Sequence, residues 1–165
     1  MKSFALFGLL AVLVVTGTAA ARSSGPNDGT LTVKDANGRI TIVGRGAVIG
    51  RFDKGQVTIK DPNPNDGTGP IVTGADVTQS LGEKTTRYSG AKVRFRIIGG
   101  SFTVTVFGTD IDLSAIGRGT VALNGGKGND DDYDGSYSLN GGPAQPFPPN
   151  FVLTFPLAPQ IGPGG

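Results

Sequence analysis

Apolar and polar residues alternate in short runs along most of this chain, and no stretch beyond the N-terminus sustains a helical period. The clearest run is 92–98, where Val93, Phe95 and Ile97 fall on one face and Arg94 and Arg96 on the other. Gly99 and Gly100 then turn the chain into 102–107, with Phe102, Val104 and Val106 on one face and Thr103 and Thr105 on the other. Residues 31–33, 39–43, 56–60, 111–116 and 120–123 repeat the pattern, each bounded by Gly, Asp or Asn. Asp35-Ala36-Asn37-Gly38 reads as the turn of a hairpin joining 31–33 to 39–43, because an Asn-Gly pair tolerates positive φ. Residues 73–80 and 84–89, rich in Thr and Ser, read as a more polar edge hairpin. Alternation of this kind belongs to antiparallel sheets with one packed and one wet face. The expected fold is all-β, an antiparallel β-sandwich or small barrel.

Glycine-bounded repeats bring in a second candidate. Gly-Arg-Gly occurs at 44–46 and again at 117–119, and Pro-Asn-Asp-Gly-Thr occurs at 26–30 and again at 64–68. Short apolar runs separated by glycine are compatible with the rungs of a short β-solenoid. No fixed period survives through 61–88, which places the sandwich or barrel ahead and makes the repeated peptides reused turns.

The N-terminus changes the picture of where the domain begins. Met1-Lys2-Ser3 supplies a positive start, 4–15 is apolar, and 16–21 is rich in small residues, the order of a secretory signal-peptide helix cleaved before Arg22. The apolar run is shorter than the roughly 20 residues needed to cross a bilayer, so no stable membrane span is expected after cleavage. Residues 22–29 read as a flexible N-terminal segment and 30–142 as the β domain. Residues 143–165 form a proline-rich tail in which 151–155 (Phe-Val-Leu-Thr-Phe) is too apolar to hang in water, so it is expected to dock as a strand, with partner binding as its alternative. The expected location is secreted, extracellular or loosely held at the cell envelope. The chain has no cysteine, so packing and hydrogen bonding, helped or not by an ion, must stabilise it.

Charge and side-chain inventory narrow the chemistry. Residues 30–100 carry eleven basic and six acidic groups, whereas 101–165 carry two basic and six acidic. The basic half suits an anionic envelope polymer; the plainer reading is that the two halves neutralise each other on folding. Without a dense basic stripe interleaved with aromatics, nucleic acid is not an expected partner. There is no His, Cys or Trp and one glutamate, which removes histidine triads, cysteine nucleophiles and the usual zinc ligands. A Ser-Lys arrangement or paired aspartates remain open: Asp110 and Asp112, two apart on an expected strand, face the same side as two carboxylates of a hydrolase would, and solvated strand-end carboxylates are the simpler explanation. The run 124–135 (NGGKGNDDDYDG) holds two partial calcium motifs. Its first half matches G-G-x-G-x-D without the aliphatic residue that should follow. Its second matches D-x-D-x-D-G, in which Asp130, Asp132 and Asp134 would converge on one calcium ion, without the glutamate expected at the twelfth position. A solvated acidic turn is the competing reading, and no other cofactor is indicated. Tyr133, Tyr137 and Phe147 near this loop add a further analogy, with calcium-assisted carbohydrate-binding modules.

The run from Gly90 to Gly125, followed by Tyr137-Ser138-Leu139-Asn140-Gly141-Gly142-Pro143, resembles uncharacterised short secreted β-proteins of bacteria that have no assigned function. The resemblance implies a single exported β domain and carries no catalytic residue. The function expected is a non-enzymatic binding or scaffolding role, with an envelope polysaccharide or a protein as partner. The alternatives are a calcium-dependent carbohydrate-binding module and, third, a small aspartate-based hydrolase.

Overall fold

The computed structural model describes residues 27–126 and 135–158. The signal segment and Asp130, Asp132 and Asp134 lie outside the described residues. The described chain forms eight strand elements: β1 (Gly29–Lys60), β2 (Ile71–Thr73), β3 (Val77–Gly82), β4 (Thr85–Ile97), β5 (Ser101–Gly125), β6 (Ser136–Leu139), β7 (Gln145–Pro146) and β8 (Leu153–Pro156). Every pairing among them is antiparallel. Among the described residues there is no helix long and apolar enough to cross a membrane.

β1 runs for 32 residues and β5 for 25. At about 3.3 Å per residue, a straight β1 would reach roughly 100 Å, several times the radius of about 14 Å expected for a domain of this size. Both strands therefore bend, and the registers show where. Residues 29–33 and 46–51 pair with the two sides of 112–117, while 38–45 and 54–60 pair with the two sides of 101–109. The chain thus passes from one layer to another and back without leaving strand geometry. One layer runs β7, β6, 29–34, 111–117, 46–52, 92–97, β2; the other runs β8, 118–125, 38–45, 101–108, 54–60, 85–91, β3. The two face each other as a β-sandwich-like fold, and the sheet does not close into a barrel. A solenoid needs parallel rungs, which the antiparallel registers rule out.

The alternating positions fill one core between the layers. Leu31, Val33, Ile40, Ile42, Val57 and Ile59 from β1 meet Val93, Phe95 and Ile97 from β4 and Val104, Val106, Ile111 and Leu113 from β5. Phe147 and Leu157, from beyond residue 142, are buried in the same core. β8 pairs with 120–123, and Phe155 stacks on Tyr137 with ring centroids 5.7 Å apart.

Two local readings change. Asp35 to Gly38 is not a hairpin turn: 29–34 and 38–45 lie in different layers, and Asp35 (φ 50°) and Gly38 (φ 144°) bend one continuous strand between them. The link at Gly99 and Gly100 likewise crosses layers, since 92–97 pairs with β1 and β2 and not with β5. The two Gly-Arg-Gly repeats pair with each other at one such bend, with Gly44 opposite Gly119, Arg45 opposite Arg118 and Gly46 opposite Gly117. A Cβ on Gly46 would fall 2.1 Å from the Ile116 carbonyl oxygen, and one on Gly117 would fall 2.1 Å from that of Arg45. The second Pro-Asn-Asp-Gly-Thr copy is a turn, in which Asp66 accepts the Thr68 N–H at 2.8 Å.

Candidate anion-binding groove

The outer face of the first layer is concave and basic. Inward Val33, Leu113, Phe95 and Val48 oblige their neighbours to point outward, so 32 and 34, 112 and 114, 49 and 51, 94 and 96, and 71 and 73 share one wet surface. They line a groove of about 580 Å³. Cross-strand register sets two rows. In one, Asp112 lies opposite Arg51, Arg51 opposite Arg94, and Arg94 opposite Thr73; in the other, Ser114 lies opposite Ile49, Ile49 opposite Arg96, and Arg96 opposite Ile71.

Asp112 organises the cationic side of the groove. Its Oδ2 accepts from Arg51 Nε at 2.7 Å and lies 2.5 Å from Arg51 Nη2. Its Oδ1 accepts the Asp35 backbone N–H at 3.2 Å and lies 3.9 Å from Lys34 Nζ. The carboxylate is only 16% exposed. Desolvation pushes its pKa up, but the Arg51 hydrogen bond, the Asp35 N–H and the charges of Lys34 and Arg51 outweigh it, holding Asp112 below the ordinary carboxylate range. The hydrogen bond and charge of Asp112 in turn raise the Arg51 pKa. Such a carboxylate is an anchor for a guanidinium and has no proton to donate at neutral pH.

Arg94 and Arg96 have no ion pair or hydrogen bond from their side chains among the described residues. Arg94 sits directly across from Arg51, a like-charge pairing that costs stability in a sheet. Ile49 and Ile71 are 54% and 46% exposed and flank Arg96. The groove therefore offers two uncommitted guanidinium groups, a third held in place by Asp112, and apolar strips beside them. A second basic place lies at the Gly-Arg-Gly bend, where Arg45 and Arg118 face each other, but Arg118 is already 3.1 Å from Asp28.

The other expected site residues fall elsewhere. Asp110 lies within β5 at a bend, with a φ of 51° and no ladder partner, and donates its N–H to Asn37 Oδ1 at 3.1 Å, so the regular alternation that would place it beside Asp112 is broken. No group of three or more His, Cys, Asp or Glu able to hold a metal occurs among the described residues. Gly126 donates to Asn37 O at 2.9 Å, and a Cβ on Gly135 would fall 2.4 Å from Lys34 O, so both residues flanking 127–134 lie at the bend 34–37. Phe147 is core and offers no exposed aromatic face, and Tyr137 is half-buried against Phe155. Arg51 and Lys34 were not singled out from sequence. The wet-face cations Arg94 and Arg96 were visible in the alternation, but Arg51 joins them only through cross-strand register. No protein-family model, curated protein or solved structure matches this chain.

Proposed function

We infer that this is a secreted, non-enzymatic binding domain that holds an anionic envelope polysaccharide in the groove over Arg51, Arg94 and Arg96. One observation carries the reading: Arg94 and Arg96 have no side-chain partner among the described residues, and Arg94 is set directly against Arg51. Carboxylate or phosphate groups of a polymer would accept from these guanidinium groups and relieve the repulsion between them. Ile49 and Ile71 supply apolar surface for the C–H faces of sugar rings. Asp112 keeps Arg51 oriented. The secretory signal expected at 1–21 would deliver the domain to such a polymer.

The test compares binding to an acidic polysaccharide and to a neutral one of similar length, for the parent chain and for R94A/R96A. The parent should prefer the acidic polymer and lose affinity as salt rises. The double variant, altered only at exposed positions, should keep or slightly raise its melting temperature, since the Arg51–Arg94 repulsion is removed, and lose about tenfold to a hundredfold in affinity, the worth of one or two charge-assisted hydrogen bonds. Equal binding of the two polymers, or full binding by the variant, would overturn the assignment.

A further inference from the structure

We propose that two copies of this chain associate edge to edge through β3. A β-sandwich that stays open has four edges, each a row of unpaired backbone donors and acceptors, and exposed edges are normally blunted by shortness, proline or charge. Three of the four are blunted here. β2 has three residues, β7 has two and ends in Pro146, and β8 ends in Pro156. β3 is the least protected: it has six residues, Val-Thr-Gln-Ser-Leu-Gly, with no charge and no proline, all six exposed, and a regular ladder over 77–80 before a bulge at Leu81. Among the described residues it pairs with β4 on one side only.

An edge that occurs once per molecule finds its match in the same edge of a second copy, which gives a closed two-fold contact in place of an open chain. The β3 sequence suits that pairing. With the two-fold at Gln79, Thr78 lies opposite Ser80 of the second copy and Gln79 opposite Gln79 within the regular stretch 77–80, and Val77 meets the bulged Leu81 at the end of the contact. Aliphatic meets aliphatic and hydroxyl meets hydroxyl, and no like charges oppose each other. Val77 and Leu81 are 58% and 41% exposed in the single chain, so pairing covers apolar surface as well as backbone. The axis runs normal to the layers and leaves both basic grooves open on the same side of the pair.

Sedimentation velocity of the mature chain from about 10 µM to about 1 mM, the range that brackets weak association, should give a concentration-dependent monomer–dimer equilibrium. Gln79→Lys sets two ammonium groups face to face at the axis and should raise the dissociation constant by about tenfold or more without lowering the melting temperature. Because the chain has no cysteine, Gln79→Cys reports directly on the register. It should form a disulfide-linked or crosslinked dimer faster than Thr120→Cys, an exposed control on β5. A chain that stays monomeric at about 1 mM, a dimer unaffected by Gln79→Lys, or equal crosslinking at 79 and 120 would each overturn the proposal.

Discussion

Replacing Gly46 or Gly117 with alanine should unseat the bend on which both long strands depend. The two residues face each other where β1 and β5 change layers, with φ of 138° and 146°, values that L side chains rarely adopt. Forcing alanine there costs about 1–3 kcal/mol in backbone strain. The added Cβ would also stand 2.1 Å from a carbonyl oxygen of the opposite strand, against 3.4 Å or more for ordinary contact, so the strands must part by about 1 Å. Neither contact is with a flexible side chain that could move aside. Weakening two ladder hydrogen bonds at about 0.5–1.5 kcal/mol each adds about 1–3 kcal/mol. The total, about 2–6 kcal/mol, corresponds to a fall in Tm of roughly 5–25 °C for a domain of this size. Gly67→Ala is the control: φ is 74°, nothing lies within 4 Å of the new Cβ, and only strain of about 1–2 kcal/mol applies. The double variant carries the sharper test. A Cβ on Gly46 lies 2.8 Å from Gly117 Cα and one on Gly117 lies 2.9 Å from Gly46 Cα, so a single retreat relieves both clashes and the combined loss should fall short of additivity by about 1–2 kcal/mol. Urea and thermal melts of the four variants measure this. A Gly46→Ala loss no larger than that of Gly67→Ala, or strict additivity of the pair, would refute the close approach as the reason for the repeated Gly-Arg-Gly.

Two further outcomes follow from the groove and the tail. Asp112 has a folded-state pKa held below its unfolded value of about 3.9, so its contribution to stability is full above that value and fades as pH falls through the lower folded one. Urea melts from pH 7 to pH 3 should therefore show Asp112→Asn closing its stability gap to the parent as the solution becomes acid, and parallel curves would remove Asp112 as a stabilising ion-pair partner. Ending the chain at Gly142 removes Phe147 and Leu157 from the core; at about 1.5–3 kcal/mol for each fully buried side chain, the loss of about 3–6 kcal/mol should lower Tm by roughly 6–25 °C in calorimetry, and an unchanged melt would show that the tail adds nothing to the core.

Alternation along the chain made the burial of individual faces legible: Val93, Phe95 and Ile97, and Phe102, Val104 and Val106, point inward, because successive residues of a strand must face opposite ways. What alternation does not carry is which strand lies beside which. Asn37-Gly38 has the same local chemistry whether the chain reverses into a hairpin or bends into a second layer, and here the choice is made by partners at 101–109 and 117–125, some seventy to ninety residues away. The repeats had the same ambiguity: Gly-Arg-Gly was plain in the sequence, but its meaning lies in the meeting of its two copies, where each glycine makes room for the backbone of the other. The groove inherits this dependence. Arg94 and Arg96 were readable as a wet, basic face of one strand, yet a pair of exposed arginines is ordinary. Register makes them a candidate site by bringing up Arg51, already held by Asp112 across 61 residues of chain, directly against Arg94. The functional reading thus lives at the level of strand pairing, and the glycine bends that fix that pairing are as necessary to the groove as the arginines that line it.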